Sequence, residues 1–142
     1  MKAGLFLIFT TITLASCATY HIPKASLISQ FKGIDSTDLV TKKVVGPLRE
    51  YYEYLANPIV AIHCLDKNGN EQTLANSPSI EMRVTEKGGR KTILYFDRIL
   101  LTDSTLVGVR SRFAPSIDKA IRLESINKVE MQDGRKDFEY AN

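Results

Sequence analysis

At 142 residues the chain is long enough for one domain with a real core and too short for several. Its 19 basic and 16 acidic side chains leave a net charge of +3, too mild a balance to argue for nucleic acid as a partner. With two cysteines and two histidines, the composition offers neither a disulfide framework nor a Cys/His metal motif.

The chain opens with one charge on Lys2, an apolar run over residues 3–14, then the small residues Ala15 and Ser16. A charged start, an apolar stretch of 7–15 residues and small residues before a cut is the layout of a secretory signal peptide. The run has 12 residues, and a membrane-spanning helix needs about 20. A cleaved leader over 1–16 therefore explains it better than a permanent anchor helix.

The four residues Leu14-Ala15-Ser16-Cys17 resemble the lipobox of bacterial lipoproteins. That resemblance implies cleavage before Cys17, a diacylglycerol on its thiol and acylation of the new α-amino group. Cys17 is thus the expected lipid attachment site. Several acyl chains hold a protein to a membrane where one chain does not. Ala18 stands where an Asp would imply inner-membrane retention, so the family rule implies the outer membrane with the domain facing the periplasm. Residues 17–34 read as a lipidated tether and entry segment, part of which, with Leu27, Ile28 and Phe31, can dock on the domain, and 35–142 as a single β-rich domain.

Past the tether, Asp35-Ser36-Thr37-Asp38 is a cluster of turn and cap residues. Residues 39–45 favour a strand, being rich in Val and Thr. Gly46-Pro47 then interrupts, and Pro is well placed at a first helical position. Leu48, Tyr51, Tyr52 and Leu55 follow at i, i+3, i+4 and i+7, which predicts one short helix over 47–56. Asn57-Pro58 would end it. Tyr51, Tyr52 and Tyr54 fit a half-buried helix on a sheet better than a sugar or lipid-interface platform.

From Pro58 onward the pattern is of hairpins. Strands are expected at 59–65 and 71–75, joined by Asp66-Lys67-Asn68-Gly69-Asn70, whose Asn-Gly suits positive φ. Ile80, Met82 and Val84 alternate with Glu81, Arg83 and Thr85, a half-buried strand. Lys87-Gly88-Gly89-Arg90 turns it into a strand at 91–96. Strands at 98–102 and 105–110 flank Asp103-Ser104, a loop covers 111–118, and further strands follow at 119–123, 127–131 and 135–140. About eight closely spaced strands predict a mainly β fold: an antiparallel bent sheet or a small barrel or sandwich.

No catalytic constellation emerges. His63 and Cys64 are adjacent in an expected strand, so their side chains face opposite ways and cannot form a dyad. With Cys17 lipidated, Cys64 has no intramolecular partner, and its apolar surroundings make it an expected buried thiol. The turn at 66–70 lacks the downstream Glu of a calcium loop, Gly88-Gly89 precedes no helix that could cradle a phosphate, and no cofactor is expected. Arg98, Arg110 and Arg112, the last two beside Phe113, form a candidate patch for an anionic lipid headgroup or an acidic envelope protein. Glu81, Glu86, Asp97 and Asp103 could equally balance them as an ordinary mixed surface.

The alternation in residues 103–108 and 121–130 is similar to the layout of small bacterial lipoproteins of unknown function. That resemblance spans about residues 92–140 and implies no functional residue. The chain reads as a membrane-anchored binding or structural module and not an enzyme. An inhibitor or immunity-type lipoprotein that blocks a partner enzyme is the second reading. A small hydrolase with carboxylates from Asp66, Asp97 or Asp103 is the third.

Overall fold

The computed structural model of the protein describes residues 18–112, 114–134 and 136–141. Twelve strands are present among them: β1 (Thr19–His21), β2 (Val40–Val45), β3 (Tyr51–Ala56), β4 (Ala61–Leu65), β5 (Glu71–Ala75), β6 (Ile80–Glu86), β7 (Lys91–Tyr95), β8 (Leu100–Leu101), β9 (Thr105–Gly108), β10 (Lys119–Arg122), β11 (Ile126–Asp133) and β12 (Glu139–Tyr140). One helix, α1 (Lys24–Gln30), and three 3-10 turns accompany them. The fold is mainly β and sandwich-like, as the strand spacing predicts.

Three antiparallel sheets result. The largest has the order β5-β4-β1-β11-β6-β7; the others are β10-β9-β8 and β12-β2-β3. Hairpins supply the local pairings. Between β4 and β5, Asp66 Oδ1 accepts from the N–H groups of Asn68 and Asn70 at 2.8 and 2.9 Å, and Gly69 takes φ +82°. A side chain there would be strained, which is why Asn-Gly marks this turn. β11 is the nonlocal centre, pairing with β1 on one side and β6 on the other.

The core lies on one face of the six-stranded sheet. Ile62 and Cys64 of β4, Ile80, Met82 and Val84 of β6, Leu94 of β7, and Val129 and Met131 of β11 point into it. Leu106 of β9 and Ile121 of β10 close it from the second sheet, with Phe96 and Ile99 between them. At Gly108 a Cβ would sit 2.8 Å from Ile99 Cγ2, so only glycine lets β9 approach this closely. The third sheet contributes nothing to this cluster, although Val44 and Ala56 are themselves fully buried.

Two expectations are corrected. Residues 47–56 are not a helix. Gly46 N–H donates to Glu50 O, Arg49 adopts φ +63°, and Tyr51–Ala56 forms β3 against β2, from Val45↔Tyr51 to Val40↔Ala56. The six residues satisfy a strand period as well as a helical one, and tyrosine favours the strand. β2 offers a hydrogen-bonding partner for every second residue.

The helix lies instead within 18–34, the expected tether. Pro23 precedes α1 as its N-cap, and Leu27 and Phe31, one helical turn apart, are buried in the main core next to Ile22. The Phe31 and Phe96 rings meet at 5.7 Å between centroids. β1 begins at Thr19, so the chain enters the six-stranded sheet two residues after Cys17. Cys17 itself lies outside the described residues.

The stretch that reads as tether is thus structural, and Leu27→Ala tests this. Truncating a fully buried Leu destabilises by about 2–5 kcal/mol, so the urea midpoint should fall clearly. An unchanged midpoint would mean that α1 does not hold the fold together.

Candidate functional site

The three arginines of the candidate patch do not share one surface. Arg110 is outside, its backbone N–H and Nε donating to Asp118 at 3.0 and 3.2 Å. Arg98 and Arg112 are 9% and 4% exposed and lie inside, around a carboxylate with no exposed surface, Asp97. Phe113 lies outside the described residues.

Asp97 sits in the 3-10 turn Phe96–Arg98 that follows β7. Tyr54 Oη of β3 donates to Asp97 Oδ2, and Tyr140 Oη of β12 donates to the same oxygen at 3.1 Å. Arg112 Nη1 is 3.8 Å from Asp97 Oδ2 and donates to Tyr54 Oη at 3.0 Å. The Arg112 guanidinium lies 4.0 Å over the Tyr95 ring and that of Arg98 4.8 Å over Tyr54. Arg98 Nη1 also donates to Ala114 O at 2.6 Å. Main chain completes the site: Asn57 N–H donates to Asp97 O, and Asn57 Nδ2 donates to Phe96 O and Ile99 O.

Burial pushes the Asp97 carboxyl above its ordinary 3.8, against the opposite pull of Tyr54, Arg112 and Tyr140. Burial, and then the Asp97 charge, pushes both tyrosine hydroxyls up, so they stay protonated and donate. With two guanidiniums to one carboxylate, the cluster clamps the third sheet to the rest of the molecule. Its apolar counterpart would be the core contacts that this sheet lacks.

The other candidate carboxylates stand elsewhere. Asp66 organises the β4–β5 turn, and Asp103 lies in the β8–β9 turn. Neither shares a hydrogen bond or ion pair with Asp97 among the described residues. His63 is exposed on β4 while Cys64 is 4% exposed on the opposite face, its Sγ 3.6 Å from Gln72 O. Burial raises the Cys64 pKa, which lowers its thiolate fraction and its reactivity.

A concave site that sequence reasoning missed lies between α1 and the second sheet. It is a groove of about 1020 Å³, at the upper limit of small-molecule sites. Ile28, Phe31 and Ile34 line one wall; Leu101, Ile117 and Leu123 line the other. Lys32, Asp35, Thr102 and Asp103 also border it. Ile28 and Ile117 remain 43% and 47% exposed, an apolar surface left open to solvent. The groove needs α1, so reading 18–34 as a tether hid it. The available signal was Pro23 followed by Leu27, Ile28 and Phe31 at helical spacing.

Comparison with protein-family models, curated proteins and solved structures finds no match.

The clamp yields two expected outcomes. Asp97→Ala removes the buried acceptor shared by Tyr54 and Tyr140 and should destabilise by about 2–5 kcal/mol in chemical denaturation. The pH dependence has a defined sign. Asp97 holds its proton more tightly folded than unfolded, so this group favours folding most below pH 3.8. That stability declines as pH rises toward the folded pKa. The stability of wild type minus that of Asp97→Asn should therefore fall with rising pH over that window, and a rise would contradict the assignment.

Proposed function

We propose that the protein is a lipid-anchored binding module of the bacterial cell envelope. Lipid on Cys17 holds it to the outer membrane with its domain facing the periplasm, and an apolar or amphipathic ligand occupies the groove beside α1. The anchor half of the reading is supported by Leu14-Ala15-Ser16-Cys17 at the end of an apolar leader. The observation that carries the binding half is the groove. Its walls are apolar, its volume of about 1020 Å³ suits a small organic ligand, and two of its isoleucines stay exposed.

The chemistry available there is recognition by burial. Ile28, Phe31, Ile34, Leu101, Ile117 and Leu123 supply apolar contact, and Lys32, Ser36, Thr102 and Asp103 supply polar groups that can orient a head group. In the buried Asp97 cluster, Tyr54, Tyr140 and Arg112 gather on one carboxyl oxygen and join the third sheet to the fold.

Two measurements test the reading. Cells fed a palmitate analogue should label the wild-type chain and not Cys17→Ala; equal labelling removes the anchor. For the groove, Ile28→Lys changes a half-exposed side chain and should leave the fold intact. It removes apolar contact of about 1.5 kcal/mol, so the affinity for an apolar fluorescent probe should fall roughly tenfold. Unchanged probe affinity places the ligand elsewhere.

A further inference from the structure

The third sheet ends in β3, whose outer edge carries no partner strand among the described residues. Two hydrogen bonds set the phase of its backbone. Gly46 N–H donates to Glu50 O, which makes that pair a bonded one. Ala141 N–H donates to Lys43 O, which turns Lys43 toward the β12 side and away from its opposite residue Glu53. Bonded and non-bonded pairs alternate in an antiparallel ladder. Tyr52, Tyr54 and Ala56 therefore bond to β2, while Tyr51, Glu53 and Leu55 aim their N–H and C=O groups at the open edge.

The same three residues present exposed side chains. Tyr51 is 74% and Leu55 53% exposed, with Leu48 at 88% in the preceding turn. Glu53 lies exposed between them, across from Lys43 of β2 on its inner side and with nothing among the described residues opposite it on the open edge. Edge strands are ordinarily blunted by proline, by charge, by a bulge or by shortness, and Glu53 is the one charge that β3 carries. β3 is six residues long, contains no proline and pairs with β2 without a register shift.

We propose that the β3 edge is a docking site for an extended segment of a partner protein, added antiparallel as a fourth strand. The segment carries Lys or Arg opposite Glu53 and an apolar residue two positions to either side, opposite Tyr51 and Leu55. Main-chain hydrogen bonds supply affinity in such strand addition, and alternate side chains supply specificity. Charge selects this occupant over a second copy of the chain. The symmetric register that sets Tyr51 against Leu55 of a second copy also sets Glu53 against its own equivalent, and like charges directly opposite are destabilising. The site lies apart from the α1 groove and does not depend on the lipid anchor, so its failure and that of the groove reading are separable.

The test uses two fluorescein-labelled peptides, Thr-Val-Thr-Lys-Thr-Val-Thr and the same peptide with Glu at its centre, in anisotropy titrations at low salt. The Lys-centred peptide should bind on the order of fivefold more tightly, given the worth of an opposite against a like cross-strand charge pair. Glu53→Lys should reverse that preference. Glu53→Pro removes an N–H that points outward, so the melting curve should stay near wild type while binding of both peptides is lost. Equal binding of the two peptides, or binding that survives Glu53→Pro in a folded variant, overturns the proposal. So does a dimer in light scattering that Glu53→Pro dissociates, because the edge is then filled by a second copy.

Discussion

A carboxylate with no exposed surface has to be neutralised where it stands, and Asp97 imposes that condition on this molecule. It draws Tyr54 from β3, Tyr140 from β12 and Arg112 from the loop after β9 onto one carboxyl oxygen. These groups come from parts of the chain far apart in sequence, so the pairing is also a constraint on topology. The sheet β12-β2-β3 contributes no side chain to the main core, and the polar clamp takes the place of the apolar contact it lacks. A buried ion pair is weak as net stabilisation but costly to break on one side. It therefore specifies which face of the third sheet docks, whatever its contribution to the total free energy.

This division of labour has a consequence for function. The main core is sealed by α1 and by the sheet β10-β9-β8, and the meeting of those two covers leaves the apolar groove. The third sheet, fastened at its inner face by Tyr54 and Tyr140, leaves its outer face and the β3 edge open. Open apolar surface thus lies at the margins of the covers, where packing has not used up the apolar residues. The polar interior at Asp97 belongs to the architecture.

Much of the β architecture was legible in local signals. Asn68-Gly69 placed the β4–β5 hairpin, and the alternation from Ile80 to Thr85 placed β6 with the correct face inward. The strand β3 was not legible, because Leu48, Tyr51, Tyr52 and Leu55 fit a period of 3.6 while Tyr52, Tyr54 and Ala56 fit a period of 2. The choice was made by β2, a partner the residues themselves do not name. Residues 24–30 carry a weak local signal because a helix of seven residues is short and depends on tertiary contact for its stability. The Arg98 and Arg112 side chains looked like surface charges for a related reason. Their environment is made by Tyr54, Tyr95 and Asp97, and only the charged pair Asp97-Arg98 between Phe96 and Ile99 hinted at a buried ion.

The sequence by itself determined the fold class, the hairpin turns and the inward faces of the central strands, since each rests on residues within a few positions of one another. It also carries the apolar N-terminal run ending in Leu14-Ala15-Ser16-Cys17 as a local pattern. The tertiary structure alone decided that residues 19–31 join the fold, that 51–56 is a strand, and that Asp97, Arg98 and Arg112 form a buried clamp instead of a surface patch. It also decided where the groove opens. Each of these depends on surfaces brought together from distant parts of the chain, and burial, ion pairing and edge exposure exist only once that assembly has formed.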